Sequence, residues 1–338
     1  MNEMSVLRSF MGRRGWLVGL LAFALAMAAC AEEEDAGRSA DDPIRIAMVG
    51  PSASNDLAFT QSMVDSLDRL GEDYNIEVDV TDGTFVIEDA AVAIRGYAED
   101  GFDIVLAHGS QFGGSLSEIA PDFPDTVFAW GTSRDTFGLT NVYSYSVQSD
   151  EGGFINGTIA AHMTESGTIG VVGPIEVGDI KLYIDGFVAG VKSVDPSITV
   201  NVNYIDSFSD VALAAEAAQA HVEAGADVMT GVSQMVVGAT GVAREHGVLW
   251  FGSQTDQVPL GEEIVVASQI YRWDFQLSQI VEDLLNDEVS GRVITADFSN
   301  GGLTMAYNPG LPLADDVQAA ADAVEAGLKD GSLSTGVE

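Results

Sequence analysis

The segment Ile44-Arg45-Ile46-Ala47-Met48-Val49-Gly50-Pro51 decides the fold class of this chain. A short apolar run that ends at Gly-Pro is typical of a strand buried on both faces. An amphipathic helical pattern follows over residues 57–70, and residues 76–80 alternate as a second strand. Strand, helix and strand at this spacing predict a parallel sheet with helices on both faces.

The same alternation continues in two consecutive units, which predicts an α/β protein with two doubly wound parallel-sheet lobes joined by crossover segments. Further strands are predicted at 101–107, 124–130, 168–172, 198–204, 226–230 and 248–251, with a strand pair near 293–307. Further helices are predicted at 89–100, 153–163, 183–194, 211–224, 239–246 and 274–285. The expected organisation is lobe one at 44–148, lobe two at 149–270, a crossover segment that completes the lobes at 271–311, and a helical C-terminal tail at 312–338.

The N-terminus has the pattern of an export signal. Three arginines precede an apolar run over residues 16–29, which is shorter than the roughly 20 residues of a membrane-spanning helix. The run ends in Ala28-Ala29-Cys30, which resembles a bacterial lipobox. We therefore predict a signal peptide at 1–29, lipidation of Cys30, a flexible acidic tether at 30–43, and anchoring on the extracytoplasmic face of the cell membrane. A secreted protein with an incidental cysteine, or an uncleaved anchor, remains an alternative.

The charge of the chain excludes several kinds of partner. The 338 residues include 14 Lys+Arg and 52 Asp+Glu, for a net charge of −38, and removal of residues 1–29 would leave −40. Nucleic-acid binding requires a basic surface, and this chain would repel a phosphate backbone. Anionic membrane surfaces and polyanionic substrates are disfavoured for the same reason. Acidic residues spread along the whole chain indicate a solvated surface suited to high salt.

Few residues in the sequence indicate catalysis or metal binding. The four histidines are not spaced as metal ligands, and the one cysteine excludes a Cys-based zinc site. Ser110 lies in a glycine-rich loop without the Gly-x-Ser-x-Gly elbow of a hydrolase, and no phosphate-binding glycine loop follows the first strand. We expect no cofactor, no metal and no enzymatic activity. A hydrolase that uses Ser110 or Asp256 is kept as a minor alternative.

Several segments, in order along the chain, resemble the basic membrane protein family. They are Asn55–Ser62, Glu151-Gly152-Gly153-Phe154 with Gly157, Gly186–Lys192, Ser207-Phe208-Ser209-Asp210, Gly225–Val228 and Ser299–Gly302. The resemblance runs from Ile44 to Leu311. It implies a lipoprotein with a type I periplasmic-binding fold, which captures a purine nucleoside for an ABC importer.

The resemblance also implies a set of ligand-binding residues. Phe59 and Tyr183 fall where the family has the two aromatic residues that stack on the base. Thr132, Gln254 and Tyr271 fall where it has a base-binding aspartate, a ribose-binding acid and a late lysine, so the expected cleft is less charged and the ligand could differ. The full expected set is Asn55, Phe59, Gln61, His108, Thr132, Tyr183, Ser233, Gln254, Asp256 and Tyr271.

The implied mechanism is mechanical. The lobes are expected to close on the ligand by a hinge at crossovers near 147–151, 268–274 and 298–302, and a monomer would then dock on a membrane permease. A lipid-anchored sensor that reports ligand to a membrane partner without transport is an alternative.

Overall fold

A computed structural model describes residues 42–337. The predicted signal peptide, the lipidation site Cys30 and residues 30–41 of the predicted tether lie outside the described residues. Within residues 42–337, none of the helices is long and apolar enough to cross a membrane.

The described residues form twelve strands and nine α-helices. The strands are β1 (Ile44–Val49), β2 (Ile76–Thr81), β3 (Ile104–Ala107), β4 (Val127–Gly131), β5 (Val142–Val147), β6 (Thr168–Gly173), β7 (Thr199–Tyr204), β8 (Val228–Gly231), β9 (Leu249–Gly252), β10 (Val265–Tyr271), β11 (Val293–Ala296) and β12 (Leu303–Tyr307). The helices are α1 (Phe59–Asp73), α2 (Ile87–Glu99), α3 (Gly113–Ile119), α4 (Ser149–Met163), α5 (Gly178–Val194), α6 (Val211–Glu223), α7 (Val236–His246), α8 (Asp274–Leu285) and α9 (Asp315–Asp330).

The strands form two six-stranded sheets, which confirms the predicted two-lobed α/β fold. The sheet of lobe one has the order β11-β5-β4-β3-β1-β2 and is parallel throughout. The sheet of lobe two has the order β12-β10-β9-β8-β6-β7, and only β12 is antiparallel to its neighbour. The chain passes between the lobes after β5, between β10 and α8, and between β11 and β12.

The predicted strand pair near 293–307 is wrong as a pairing. β11 joins β5 in lobe one, whereas β12 joins β10 in lobe two. The intervening turn is itself a crossover, so two strands that are neighbours in sequence are separated in space. The sequence analysis also missed β5, β10 and α3. In β5 and β10, serine and glutamine side chains interrupt the apolar pattern, although Ser144, Ser268 and Gln269 are fully buried.

The close packing of α4 on α5 fixes the start of α5, which borders the interlobe cleft. A Cβ atom at Gly153 would lie 2.3 Å from the carbonyl oxygen of Tyr183, and one at Gly157 would lie 2.1 Å from that of Phe187. Only glycine allows the two backbones to approach this closely. Gly153 and Gly157 of the family-like segment therefore have a packing role at this helix interface.

Buried side-chain amides hold the first crossover from both lobes. Gln276 of α8 donates to the carbonyl oxygen of Ser146, and Gln269 of β10 donates to that of Ser149. Both glutamines are fully buried. Since these bonds lie on either side of the crossover, they tie it to both lobes.

Candidate functional site

A cavity of about 230 Å³ lies between the two lobes. Its lining residues follow the carboxyl ends of strands in both sheets, which is where ligands bind in parallel α/β folds. This volume is below the roughly 300–1,000 Å³ of pockets for drug-sized ligands, so it suits a smaller solute. The lining residues are Pro51, Phe59, Phe85, Gly109, Ser110, Gln111 and Thr132 from lobe one, and Val177, Gly178, Asp179, Ile180, Phe208, Ser233, Gln234 and Gln254 from lobe two.

Three of these residues have a strained backbone. Thr132, Ser233 and Gln254 have φ angles of 53°, 74° and 76°, in the left-handed region that non-glycine residues rarely adopt. Each lies one or two residues after a strand, and the backbone N–H of Ser233 donates to Oε1 of Gln254 at 3.2 Å. Such strain is concentrated at ligand sites, because the surrounding structure must hold it in place.

The ring of Phe59 is supported from behind by His108. The two rings stack with centroids 3.9 Å apart and an angle of 9° between their planes. Nε2 of His108 lies 3.1 Å from the carbonyl oxygen of Phe59, and Nδ1 lies 2.8 Å from the hydroxyl of Tyr145. Because a carbonyl only accepts, Nε2 carries the proton and Tyr145 donates to Nδ1. Complete burial lowers the pKa of His108 from 6.5 to about 3, so the imidazole is neutral.

An aromatic cluster fills the space behind the cavity, centred on Trp273 in the second crossover. The Trp273 ring makes edge-to-face contacts with Phe59, His108, Tyr145 and Tyr271, at centroid distances of 5.1–6.3 Å. Its indole N–H donates to Oγ of Ser62 on α1 at 2.8 Å. The cluster thus ties the hinge to the lobe-one wall of the cavity.

Asp179 is the one ionisable side chain among the described residues that line the cavity. It lies in the first turn of α5, and its Oδ2 is 3.5 Å from the hydroxyl of Tyr271. Burial raises the pKa of this carboxyl to about 6, although backbone N–H groups at the helix start oppose the shift. The cavity therefore has apolar and amide walls with a single acidic group.

Four of the ten expected ligand-binding residues line the cavity: Phe59, Thr132, Ser233 and Gln254. His108 and Tyr271 are fully buried behind it, where they pack against Phe59 and Asp179 respectively.

The remaining polar candidates stabilise loops. Gln61 accepts from the backbone N–H of Leu57, and Asp256 accepts from that of Val258. Asn55 is exposed in the loop before α1.

Tyr183, which the family resemblance assigned to base stacking, is not among the residues that line the cavity. Its side chain is fully buried in lobe two, where the hydroxyl is 2.8 Å from Thr230 Oγ1 and 3.0 Å from Asn156 Nδ2. The lobe-two aromatic residue at the cavity is instead Phe208, whose ring contacts Phe85 of lobe one at 6.1 Å. Tyr183 is one helical turn inside α5 and points into the core, whereas Phe208 follows the carboxyl end of β7.

Sequence reasoning missed Phe208 and Asp179 as site residues, along with Phe85, Gln111 and Gln234. Phe208 was part of a recognised motif, and all five follow a predicted strand or begin the next helix. Position relative to strand ends was the signal that could have found them. Trp130 stacks on Phe137 with ring centroids 5.0 Å apart and donates to the carbonyl oxygen of Gly109, so it supports a cavity loop from behind.

Polar and aromatic contacts join the lobes beside the cavity. Gln257 Nε2 donates to the carbonyl oxygen of Leu57 at 3.2 Å, and Thr255 Oγ1 donates to Oδ2 of Asp65 at 3.1 Å. With the contact between Phe85 and Phe208, these bonds hold the lobes together around the cavity. All of them would break if the lobes opened.

The surroundings of Ser110 argue against nucleophilic catalysis. Ser110 lines the cavity, but both ring nitrogens of His108, two residues away, are engaged with Phe59 and Tyr145. Asp256, the other hydrolase candidate, is exposed and caps a turn. Among residues 42–337 there is also no group of three or more His, Cys, Asp or Glu side chains that could hold a metal ion.

Comparisons with known proteins agree with this architecture. A family model described as ABC transporter substrate-binding protein, PnrA-like, matches residues 44–326. A transcriptional activator protein of Bacillus subtilis is 27% identical over 293 residues, which are 86% of this chain and 90% of the relative. A purine-binding protein of Brucella abortus is 25% identical over 297 residues, which are 87% of this chain and 83% of the relative. The structure of an ABC transporter solute-binding protein from Conexibacter woesei superposes with a TM-score of 0.73 at 21% identity, covering 86% of this chain and 98% of that one.

Proposed function

This chain belongs to the PnrA-like family of ABC transporter substrate-binding proteins, and on that premise we propose that it captures a purine nucleoside, or a related planar heterocyclic solute, for import. The observation that carries the proposal is that each lobe contributes an aromatic side chain to the cavity lining: Phe59 from lobe one, and Phe208 from lobe two. A planar ring held between aromatic faces gains about 0.5–1.5 kcal/mol per contact beyond its buried area. The Brucella relative, named for purine binding, supports the same ligand class.

The chain would act by closure and not by chemical turnover. The bonds from Gln257 to Leu57 and from Thr255 to Asp65 form only when the lobes meet, so ligand binding and closure stabilise each other. The closed surface would then be recognised by a membrane permease, which supplies the energy of transport. The permease contact should rest on shape and short-range contacts, because high external salt screens charge.

The proposed location is the extracytoplasmic face of the cell membrane, with Cys30 lipidated after removal of residues 1–29. The lipobox-like Ala28-Ala29-Cys30 and the acidic tether support this proposal. Metabolic labelling with a fatty-acid analogue should mark the wild-type chain and leave a Cys30→Ser variant unlabelled. Labelling of both chains would contradict anchoring at this cysteine.

Isothermal titration of the refolded protein against purine and pyrimidine nucleosides and free bases tests the ligand class. We expect one-to-one binding of a purine compound that Phe59→Ala and Phe208→Ala each weaken at least tenfold, or about 1.4 kcal/mol. Phe275→Ala is a matched control, since Phe275 is half-buried on α8 in a separate surface groove. Absence of heat across the panel would refute the ligand class.

A sensing role without transport is the second candidate, because the Bacillus subtilis relative is named a transcriptional activator. The acidic surface of this chain argues against direct DNA contact, so such a role would act through a membrane partner. Uptake of radiolabelled ligand by cells that lack the protein distinguishes the two roles. Uptake lost on deletion supports import, and unchanged uptake supports sensing.

A further inference from the structure

Asp179 stands in a cavity that offers its carboxylate no positive partner. Among the described lining residues, the others are apolar, hydroxyl or amide side chains and glycine. Lys181, two residues further along α5, is instead paired with Asp185 and lies 3.7 Å from Glu176. The nearest hydrogen-bonding side chain is the hydroxyl of Tyr271, at 3.5 Å, which is longer than a normal O–H···O bond. The backbone N–H groups of Asp179 and Ile180 also donate to the carboxylate, which leaves about two of its roughly four acceptor positions for a ligand in the cavity.

Two positions in the cavity lining, Thr132 and Gln254, lack the negative charge that the family resemblance implied. Thr132 and Gln254 stand where acids were expected, and both line the cavity as neutral side chains. An ionised carboxylate accepts through two oxygens and donates none, so it binds adjacent donors in a bidentate manner. Thr132 and Gln254 are not able to do this.

We infer that Asp179 is the specificity-determining residue of the cavity, where it accepts hydrogen bonds from two adjacent donors on a neutral or cationic ligand. Either the cis-diol of a ribose or an amino edge of a heterocycle offers such donors. The inference rests on the proposed function, since it names the recognition chemistry of the same site. It also implies that the cavity rejects a ligand whose anionic group would approach Asp179.

Binding of such donors would favour the ionised carboxylate and release a proton. Because burial raises the pKa of Asp179 to about 6, about half of the free protein carries this proton at pH 6 and almost none carries it at pH 8. The charged and titratable groups around it are Tyr271 of β10, Lys181 and Asp185 of α5, Glu176 before α5, Asp150 and Glu151 of α4, and Arg134, which lines an adjoining groove with Asp179. Burial also raises the pKa of Glu151, to about 7, so proton release must be assigned by comparison with an Asp179 variant.

The experiment compares wild type with Asp179→Asn, which keeps the size and removes the charge. The probes are adenosine, 2′,3′-dideoxyadenosine, which lacks the diol, and purine riboside, which lacks the 6-amino group. We expect Asp179→Asn to bind adenosine at least tenfold more weakly than wild type. The analogue that lacks the donors held by Asp179 should bind wild type as weakly as adenosine binds the variant. It should lose no further affinity in Asp179→Asn, and this identifies the diol or the amine as the group that Asp179 recognises.

Calorimetry in buffers of different ionisation enthalpy supplies a readout that a purely structural role would not move. Wild type should release about half a proton per adenosine at pH 6 and none at pH 8, and Asp179→Asn should release about half a proton less at pH 6. Asp185→Asn is the matched control on the same helix, because Asp185 pairs with Lys181 outside the cavity, and it should bind like wild type. If Asp179→Asn fails to fold, Asp179→Ser, which also removes the carboxylate, takes its place in the comparison of proton release.

Each negative result has a separate meaning. If wild type binds no compound of the nucleoside and base panel, the proposed function fails, and this inference fails with it. If wild type and Asp179→Asn bind adenosine with equal affinity, or if both analogues still lose tenfold in the variant, the role of Asp179 is overturned and the proposed function stands.

Discussion

The neutral, buried His108 makes a quantitative prediction about acid stability. Its ring stacks on Phe59 and has both nitrogens engaged by Tyr145 and by the Phe59 carbonyl. We propose replacing it with phenylalanine, which retains an aromatic ring but does not titrate. At neutral pH the variant should be less stable, because it leaves the buried Tyr145 hydroxyl unpartnered at about 1–3 kcal/mol, whereas the Phe59 carbonyl keeps its bond from Oγ of Ser62.

The pH dependence follows from linkage. In the unfolded chain His108 takes up a proton below its ordinary pKa of 6.5, whereas the native side chain does so only below about 3. Between these values the unfolded state binds one more proton, so this group lowers the free energy of unfolding by about 1.4 kcal/mol for each pH unit of acidification. The stabilisation is fully present above pH 6.5. About 2 kcal/mol is lost by pH 5, and about 4 kcal/mol by pH 3, where the native imidazole begins to bind the proton as well.

The assay is urea unfolding of both proteins at several pH values from 8 to 5, at constant high salt. Other groups also titrate: the raised pKa values of Glu151 and Asp179 make the native state more stable as pH falls through their range. These contributions are shared by both proteins, so they cancel in the difference between the free energies of unfolding of wild type and His108→Phe. It should shrink by about 2 kcal/mol between pH 6.5 and pH 5.

Tyr145→Phe is the matched control for His108→Phe. It removes the hydroxyl bonded to Nδ1 and leaves the imidazole able to titrate, so its stability should fall in parallel with wild type. A constant gap between wild type and His108→Phe across the pH range would refute the reasoning, since it would mean that the native imidazole is protonated as readily as an exposed one.

Two further predictions concern packing and charge. Gly153→Ala places a Cβ 2.3 Å from the Tyr183 carbonyl oxygen and should lower stability by about 1–3 kcal/mol or more, whereas Gly96→Ala on α2 meets no atom within 4 Å and should raise it by about 0.5–1 kcal/mol. Chemical unfolding of both variants tests this, and equal effects would contradict it. The net charge of −38 predicts a higher thermal midpoint at ~2 M than at ~0.1 M salt through screening of self-repulsion, and equal midpoints would contradict that.

The sequence pattern was sufficient to predict the elements in which apolar residues recur with one period along the whole segment. The run from Ile44 to Val49 is β1, and the helix predicted at 274–285 is α8 with the same ends. Such segments carry one periodicity from end to end, so local sequence fixes their type. β5 and β10 escaped because polar residues such as Ser144 and Gln269 are buried there through hydrogen bonds or close packing, which the pattern does not show.

Some residues of the candidate site could likewise be predicted from local sequence, and others only from the tertiary structure. The sequence placed Thr132 and Gln254 on loops after strands and Phe59 near the start of the helix that follows β1, and strand ends face the cleft in any parallel sheet. Tyr183 and Phe208 are both aromatic residues on lobe two, and only the packing of α5 against α4 turns the first into the core and leaves the second at the cavity. Asp179 is a site residue for a tertiary reason as well, because it lines a cavity that exists only where residues of both lobes meet.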